Sequence, residues 1–303
     1  MIKLQQLNAF LEISRAGSIR KAAEALGLAQ PSLSRSLTLL ERELGVRLLD
    51  RSVHGVSVTP AGRALLSKAR LIEREVASIP QTFQPMASTL SGEVRIGVAP
   101  LFAIRYLPLF VDAFSARHPE VHPMVVDGLY PSIWNRIREG AIDAYFGPIP
   151  DRQRPPDLSF DRLFSSRMIV TVRKGHPLMR ATSLTSLADA RWVVAGLEEG
   201  PGRMVNQLFA AHGLPVPRPV ASCESFIAMM ALIGQSDMVG LLPETMLDSS
   251  AYDLMRVRIE ERIPRPSQGV TTLARLAPHP AAAEFIRTFR DWILAQSTRR
   301  SHR

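Results

Sequence analysis

Residues 17–45 read GSIRKAAEALGLAQPSLSRSLTLLERELG, and the fold of the N-terminal part turns on this stretch. Ser18 is a good N-cap for a short helix from Ile19 to Leu26. Ala22 and Ala23 in that helix are small enough to let another helix backbone approach closely. Gly27 suits the left-handed residue that closes it. Pro31 opens the next helix, because a first-turn residue has no intrahelical use for its N–H, and Gly45 stops that helix after Leu44. Leu33, Leu37, Leu40 and Leu44 form one stripe predicted to be buried. Gln30, Ser32, Ser34, Arg35 and Thr38 occupy the other face. Arginine forks onto guanine, glutamine onto adenine, and short hydroxyls onto phosphates or base edges. The pattern therefore predicts a helix-turn-helix, with a helical hairpin bearing a merely solvated polar face as the alternative.

Upstream, Leu4, Leu7, Phe10 and Leu11 recur at three- and four-residue spacing, which predicts a helix ending before Gly17. Downstream, 48–51 and 56–59 read as two short strands about a turn at 52–55, a wing. Arg51 and His54 there reach flanking phosphates or the minor groove, or else are solvated turn residues. Charge points the same way. The chain carries a net +9, of which residues 1–90 hold +5 from 12 Lys and Arg against 7 Asp and Glu. Locally dense basic excess is what attracts a polyanion, although a solvated basic face would give the same count.

These motifs together closely resemble the LysR-type transcriptional regulators. The resemblance lies in Leu7-Asn8-Ala9-Phe10, Gly17-Ser18-Ile19-Arg20-Lys21-Ala22-Ala23, Gln30-Pro31-Ser32-Leu33-Ser34-Arg35, Leu40-Glu41, Leu44-Gly45, Leu49-Asp50-Arg51 and Thr59-Pro60-Ala61-Gly62. Two positions depart from the family pattern: Ala29 stands where a capping Ser is usual and Leu49 where Phe is usual. Losing a side-chain cap costs roughly 1 kcal/mol. The resemblance implies contact with double-stranded promoter DNA through Arg20, Gln30, Pro31, Ser32, Ser34, Arg35 and Thr38, and through Arg51 and His54 of the wing.

Thr59 and Pro60 read as the start of a further helix, along which Leu65, Ala69, Ile72, Val76, Ile79 and Phe83 keep a heptad seam. Such a seam packs against either a second copy or the chain's own domains. The resemblance implies the first, an antiparallel homodimer of linker helices that assembles further into a homotetramer. Pro80 predicts that regular helix ends or kinks near Ile79, with 82–91 as a hinge. The domain expectation is a winged helix-turn-helix at 1–60, a linker helix and hinge at 61–91, and an effector-binding domain at 92–303.

From Glu93 onward short apolar runs alternate with amphipathic stretches, the signature of parallel α/β units. Strands are expected at 94–98, 121–126, 142–146, 168–172, 192–195, 238–242 and 270–276, and helices at 107–117, 133–138, 204–212 and 281–294. With crossings near 147–150 and 263–268, this gives two lobes, about 92–148 with 268–303 and about 149–267. A cleft between such lobes offers free N–H groups and favours a small anion. The fold expected is thus α/β overall, with an N-terminal all-α winged helix-turn-helix, a long linker helix and a two-lobed C-terminal domain. Phrases such as Gly92-Glu93-Val94-Arg95-Ile96-Gly97 and Lys174-Gly175-His176-Pro177-Leu178 extend the resemblance through that domain.

Carried over by position, the small-molecule effector would touch Ala99, Pro100, Leu101 and Phe102, then Gly128 and Tyr130, and from the second lobe Gly196, Leu197 and the helix start at Ser222, Cys223 and Ser225. The resemblance implies a small organic acid, and the apolar residues after the first strand favour an aromatic or hydrophobic one. Packing alone is the other reading of Phe102 and Tyr130. Cys223 reads as a small buried side chain, with redox sensing as the lesser alternative.

One cysteine excludes an internal disulfide, and with no apolar signal core or run of ~20 apolar residues the expectation is a soluble cytoplasmic protein without membrane contact. No GxGxxG, P-loop, GxSxG or metal-spaced His/Cys cluster occurs, so neither an enzyme nor a cofactor is expected. The further rival is a sequence-neutral DNA-compacting protein. For the regulator, RNA polymerase is an additional contact to consider.

Overall fold

A computed structural model describes residues 1–52, 55–82, 90–196, 200–249 and 252–300, and the chain divides into two units. The N-terminal unit starts with α1 (Leu4–Ala16), α2 (Ile19–Leu26) and α3 (Gln30–Leu44), followed by β1 (Leu49–Ser52), β2 (Gly55–Val58) and α4 (Pro60–Thr82). Leu7, Phe10, Leu11 and Ile13 of α1 meet Ala22 and Ala23 of α2 and Leu33, Leu37 and Leu40 of α3 in one buried cluster. Two residues of the expected stripes fall outside it. Leu4 and Leu44 are exposed, because each lies at a helix end beyond the reach of the neighbouring helices.

The wing is tied to these helices by hydrogen bonds. Glu41 Oε1 accepts from the N–H groups of Leu48 (2.8 Å) and Leu49 (3.3 Å), and the Val56 N–H donates to the Gly17 carbonyl at 2.9 Å. Thr59 caps α4: its hydroxyl donates to the Arg47 carbonyl at 2.8 Å and accepts from Gly62 N–H at 2.9 Å. A side chain at Gly62 would run into the Leu48 carbonyl, so the close approach of helix and strand needs glycine there.

α4 runs through Pro80 to Thr82 rather than stopping near Ile79. Proline there forfeits the N–H bond to the Val76 carbonyl, as it would anywhere past the first turn, and the helix continues for two more residues. Phe83 of the expected seam lies outside the described residues.

The second unit holds β3 (Gly92–Val98), α5 (Pro100–Arg105), α6 (Leu107–Arg117), β4 (Val121–Asp127), α7 (Ser132–Arg138), β5 (Ala144–Pro148) and β6 (Leu158–Ser165). After these come β7 (Met168–Arg173), β8 (Arg191–Ala195), α8 (Arg203–Ala211), β9 (Ala221–Cys223), α9 (Phe226–Gln235), β10 (Met238–Pro243), β11 (Leu254–Val257), β12 (Ser267–Leu273) and α10 (Pro280–Arg300). Two five-stranded sheets form, ordered β4-β3-β5-β12-β6 and β11-β7-β10-β8-β9.

The sheets are mixed where parallel units were expected. β12 runs antiparallel to β5 and β6, and β7 antiparallel to β10 and β11. β6 also moves the first crossing. It belongs to the first sheet, so the chain passes to the second at 166–167 and not near 149. β6 is half exposed and carries Asp161 and Arg162, and so lacks the apolar run by which a buried strand is recognised. α10 covers the first sheet, where Phe285 and Phe289 pack with Phe110, Phe114 and Phe146.

Candidate functional site

On α3 the buried stripe leaves the opposite face open. Gln30, Pro31, Ser32, Arg35 and Thr38 are exposed and Ser34 is half-buried. Arg35 has no ion-pair partner among the described residues, so its guanidinium is not already committed to a carboxylate. The Thr38 hydroxyl donates to the Ser34 carbonyl at 2.9 Å. Ala29 is the N-cap of α3 and supplies no side-chain bond, as its identity dictates. Ser18 caps α2 by accepting from Lys21 N–H at 3.5 Å, and Gly27 ends α2 at φ +63°. Arg20, exposed on α2, lies 3.9 Å from Glu24, a pairing too loose and wet to hold it. Arg51 pairs with Val56 across the wing, and His54 lies outside the described residues.

The seam expected on α4 divides in two. Ala69 is fully buried in the N-terminal core, so it serves its own unit and is not open to a partner, and Leu65 is partly buried against that core. Ile72, Val76 and Ile79 stay exposed at spacings of four and three residues. Arg15 of α1 reaches Glu73 at 2.6 Å and fixes how the helix leaves the core.

Between the two lobes of the second unit lies a cavity of about 80 Å³. Ala99, Pro100, Leu101 and Leu129 come from the first lobe, while Val193, Met204, Met229 and Leu241 come from the second. Among the described lining residues only Gln268 has a polar side chain. It is buried, its Nε2 donates to Ser166 Oγ at 2.9 Å, and its Oε1 has no hydrogen-bond partner among the described residues. Ser166 lies on the first crossing and Gln268 just past the second, at the start of β12, and the crossings are also joined by the Ser166 N–H donating to the Pro266 carbonyl at 3.0 Å.

Several expected contacts change place. Phe102 is fully buried in the first-lobe core, its ring 5.7–6.1 Å from Tyr106, Phe146 and Phe164, because 100–105 form a helix and not a loop. Gly128, Tyr130 and Gly196 line a neighbouring opening with Asp127, Arg136 and Glu224. Tyr130 stacks on Trp134 at 4.9 Å, and burial raises its phenol pKa. Ser222 and Cys223 belong to β9 and not to a helix start, and neither lines the cavity. Burial raises the Cys223 thiol pKa, which opposes thiolate formation. Ser225 caps α9 by accepting from Ala228 N–H at 3.3 Å, and it is the next turns, through Phe226 and Met229, that reach the cavity. Leu197 lies outside the described residues.

Gln268 was missed because reading by position follows loops, whereas this amide sits inside a strand. The signal was faint, a single amide among the small, hydroxyl and apolar residues of β12. An anion also fits this cavity poorly, since no described lining side chain is cationic. Arginines gather instead in an adjoining groove, at Arg152, Arg203 and Arg265. No cluster of metal-ligating side chains occurs among the described residues, and no described helix is long and apolar enough to cross a membrane.

A winged helix-turn-helix joined to a two-lobed α/β domain with an interlobe cavity defines a DNA-binding regulator architecture. The family described as "LysR substrate binding domain" matches residues 87–293, and "Bacterial regulatory helix-turn-helix protein, lysR family" matches residues 4–63. The chain belongs to the LysR family of transcriptional regulators. The SDS degradation transcriptional activation protein of Pseudomonas sp. (strain ATCC 19151) is 30% identical, over 93% of this chain and 94% of that one. The HTH-type transcriptional regulator GalR of Pseudomonas putida is 27% identical over 98% of this chain and 76% of its own length.

A full-length OxyR variant from Pseudomonas aeruginosa shares the fold at TM-score 0.73 with 21% identity, covering 97% of this chain and 95% of that one. CbnR in complex with its target DNA shares it at 0.66 with 22% identity, covering 96% and 99%. The protein is a transcriptional regulator with DNA-binding and effector-binding domains, and not an enzyme.

Proposed function

We propose that this regulator reads a partly palindromic promoter site with the exposed face of α3, as a dimer held through Ile72, Val76 and Ile79, and that occupancy of the interlobe cavity changes its hold on that site. The observation that carries the reading is the division of α3 into a buried leucine side and an exposed side bearing Gln30, Ser32, Arg35 and Thr38. Arg35, uncommitted to any described carboxylate, is the residue best placed to fork onto a guanine. Two such helices in a dimer would enter successive major grooves about 34 Å apart.

Gln268 lines the cavity beside the second crossing and its amide is bonded to Ser166 on the first, so a bound molecule favours one lobe closure over another in proportion to its differential affinity. Pairing of dimers into a tetramer and contact with RNA polymerase belong to the same proposal, as does a cytoplasmic location, where the promoter lies.

The test is a footprint on the DNA upstream of the protein's own gene, with Arg35→Ala compared at the same salt concentration. Wild type should protect a localised, partly palindromic site, and Arg35→Ala should weaken binding there by about 1–3 kcal/mol while leaving binding to unrelated DNA nearly unchanged. Equal, unlocalised binding by both proteins would defeat the proposal.

A further inference from the structure

The interlobe cavity carries chemistry beyond its position. Its described walls are apolar apart from Gln268, a residue only 3% exposed. The orientation of that amide is set from behind. Gln268 Nε2 donates to Ser166 Oγ at 2.9 Å, and that hydroxyl lies 4.0 Å from Met168 Sδ. Gln268 Oε1 is buried without a partner among the described residues. A buried carbonyl oxygen in that state loses the hydrogen bond it had in water and gets nothing back. A ligand hydroxyl or N–H would restore it. A carboxylate could not, since it only accepts, and its charge would be taken from water into apolar walls without a cation beside it.

Resting on the reading of this cavity as the effector site, we propose that the part of the effector bound here is uncharged and apolar with a single hydrogen-bond donor, received by Gln268 Oε1. Size agrees with a small group. A cavity of roughly 150 Å³ holds benzene, and this one, at about 80 Å³, takes about three heavy atoms, so a longer molecule enters it by one end. The arginine-bearing groove beside it, with Arg152, Arg203 and Arg265, is the competing place for an anion.

Three probes of nearly equal size separate these chemistries: butan-1-ol, which donates and accepts, butan-2-one, which only accepts, and butanoate, which is charged. Dissociation constants are measured by ligand-observed NMR on the full-length protein, on Gln268→Leu and on Ala195→Leu. The last fills the cavity from β8 and leaves the amide untouched. The expected result is butan-1-ol binding about fivefold more tightly than butan-2-one and tenfold or more above butanoate, scaled to one buried hydrogen bond and to the desolvation of a charge. Gln268→Leu should erase the preference for the alcohol without weakening the ketone, an asymmetry that general loosening of the fold would not produce. Ala195→Leu should abolish binding of both neutral probes.

Butan-2-one equal to butan-1-ol in wild type would overturn the donor assignment. Butanoate binding most tightly, and lost in Ala195→Leu, would overturn the uncharged ligand while the cavity kept its role. Binding of all three unaffected by Ala195→Leu would overturn the cavity as effector site altogether.

Discussion

At the scale of single residues, two polar groups of the first lobe, one buried and one exposed, show how a fold changes chemistry it does not use. Tyr145 is fully buried, its hydroxyl has no partner among the described residues, and burial pushes its pKa well above the ordinary value. Leaving a buried hydroxyl unpaired costs about 1–3 kcal/mol, so Tyr145→Phe should be neutral or should stabilise the protein by about 1 kcal/mol in urea melts. A loss of comparable size would mean that the hydroxyl is satisfied. Asp127, at the end of β4, is exposed, yet partial desolvation raises its pKa despite a hydrogen bond from the Gly128 backbone. A raised folded-state pKa means that the folded chain binds the proton more tightly than the unfolded chain does. Its contribution is therefore full below the ordinary value of 3.8 and is lost as pH rises through the raised value. Asp127→Asn should flatten the dependence of melting temperature on pH across that window. An unchanged slope would show that Asp127 titrates normally.

At the scale of elements, α4 shows how one periodic stripe serves two purposes. Leu65, Ala69, Ile72, Val76 and Ile79 keep a single heptad register, yet the first two turn into the core under α1 and the wing while the last three remain exposed. Exposed apolar residues at that spacing form a narrow seam suited to a second helix. Ile72→Lys should shift the protein from dimer to monomer in sedimentation while the melt of the N-terminal unit stays within about 0.5 kcal/mol of wild type, as expected of an exposed site. Sedimentation at the wild-type mass would remove α4 as the dimer seam. The wing is held just as locally, since the side chains of Glu41 and Thr59 bind backbone groups of 47–49 and so keep β1 beside α3. Their place in the family-like phrases Leu40-Glu41 and Thr59-Pro60 has this structural reason, independent of DNA.

At the scale of the whole molecule, the second unit is closed by its own C-terminus. The Phe289 ring of α10 lies 4.5 Å from that of Phe110 and 4.6 Å from that of Phe146, joining the last helix to α6 and β5 across most of the domain's sequence. Phe289→Ala should cost about 3–5 kcal/mol, read as an early unfolding transition of the effector domain. A cost below about 1 kcal/mol would show that α10 is peripheral.

The sequence by itself determined the N-terminal domain. Its helix stops at Gly17, Gly27 and Gly45, its caps and its stripe of leucines are local signals, and local signals need only neighbours a few residues away. The alternation of strands and helices beyond Glu93 and the two-lobed plan were legible in the same way. What only the tertiary structure decided depends on partners far along the chain. β6 joins the first sheet through β12, more than a hundred residues later, and so moves the lobe boundary. Phe102 and Ala69 turn inward because of what packs against them. Gln268 becomes the one polar side chain among the described walls of the cavity because Ser166, 102 residues earlier, takes one side of its amide and leaves the other facing apolar groups. Periodicity records which side of an element is apolar. Which apolar sides meet, and what polar atom is caught between them, is settled only when distant segments pack.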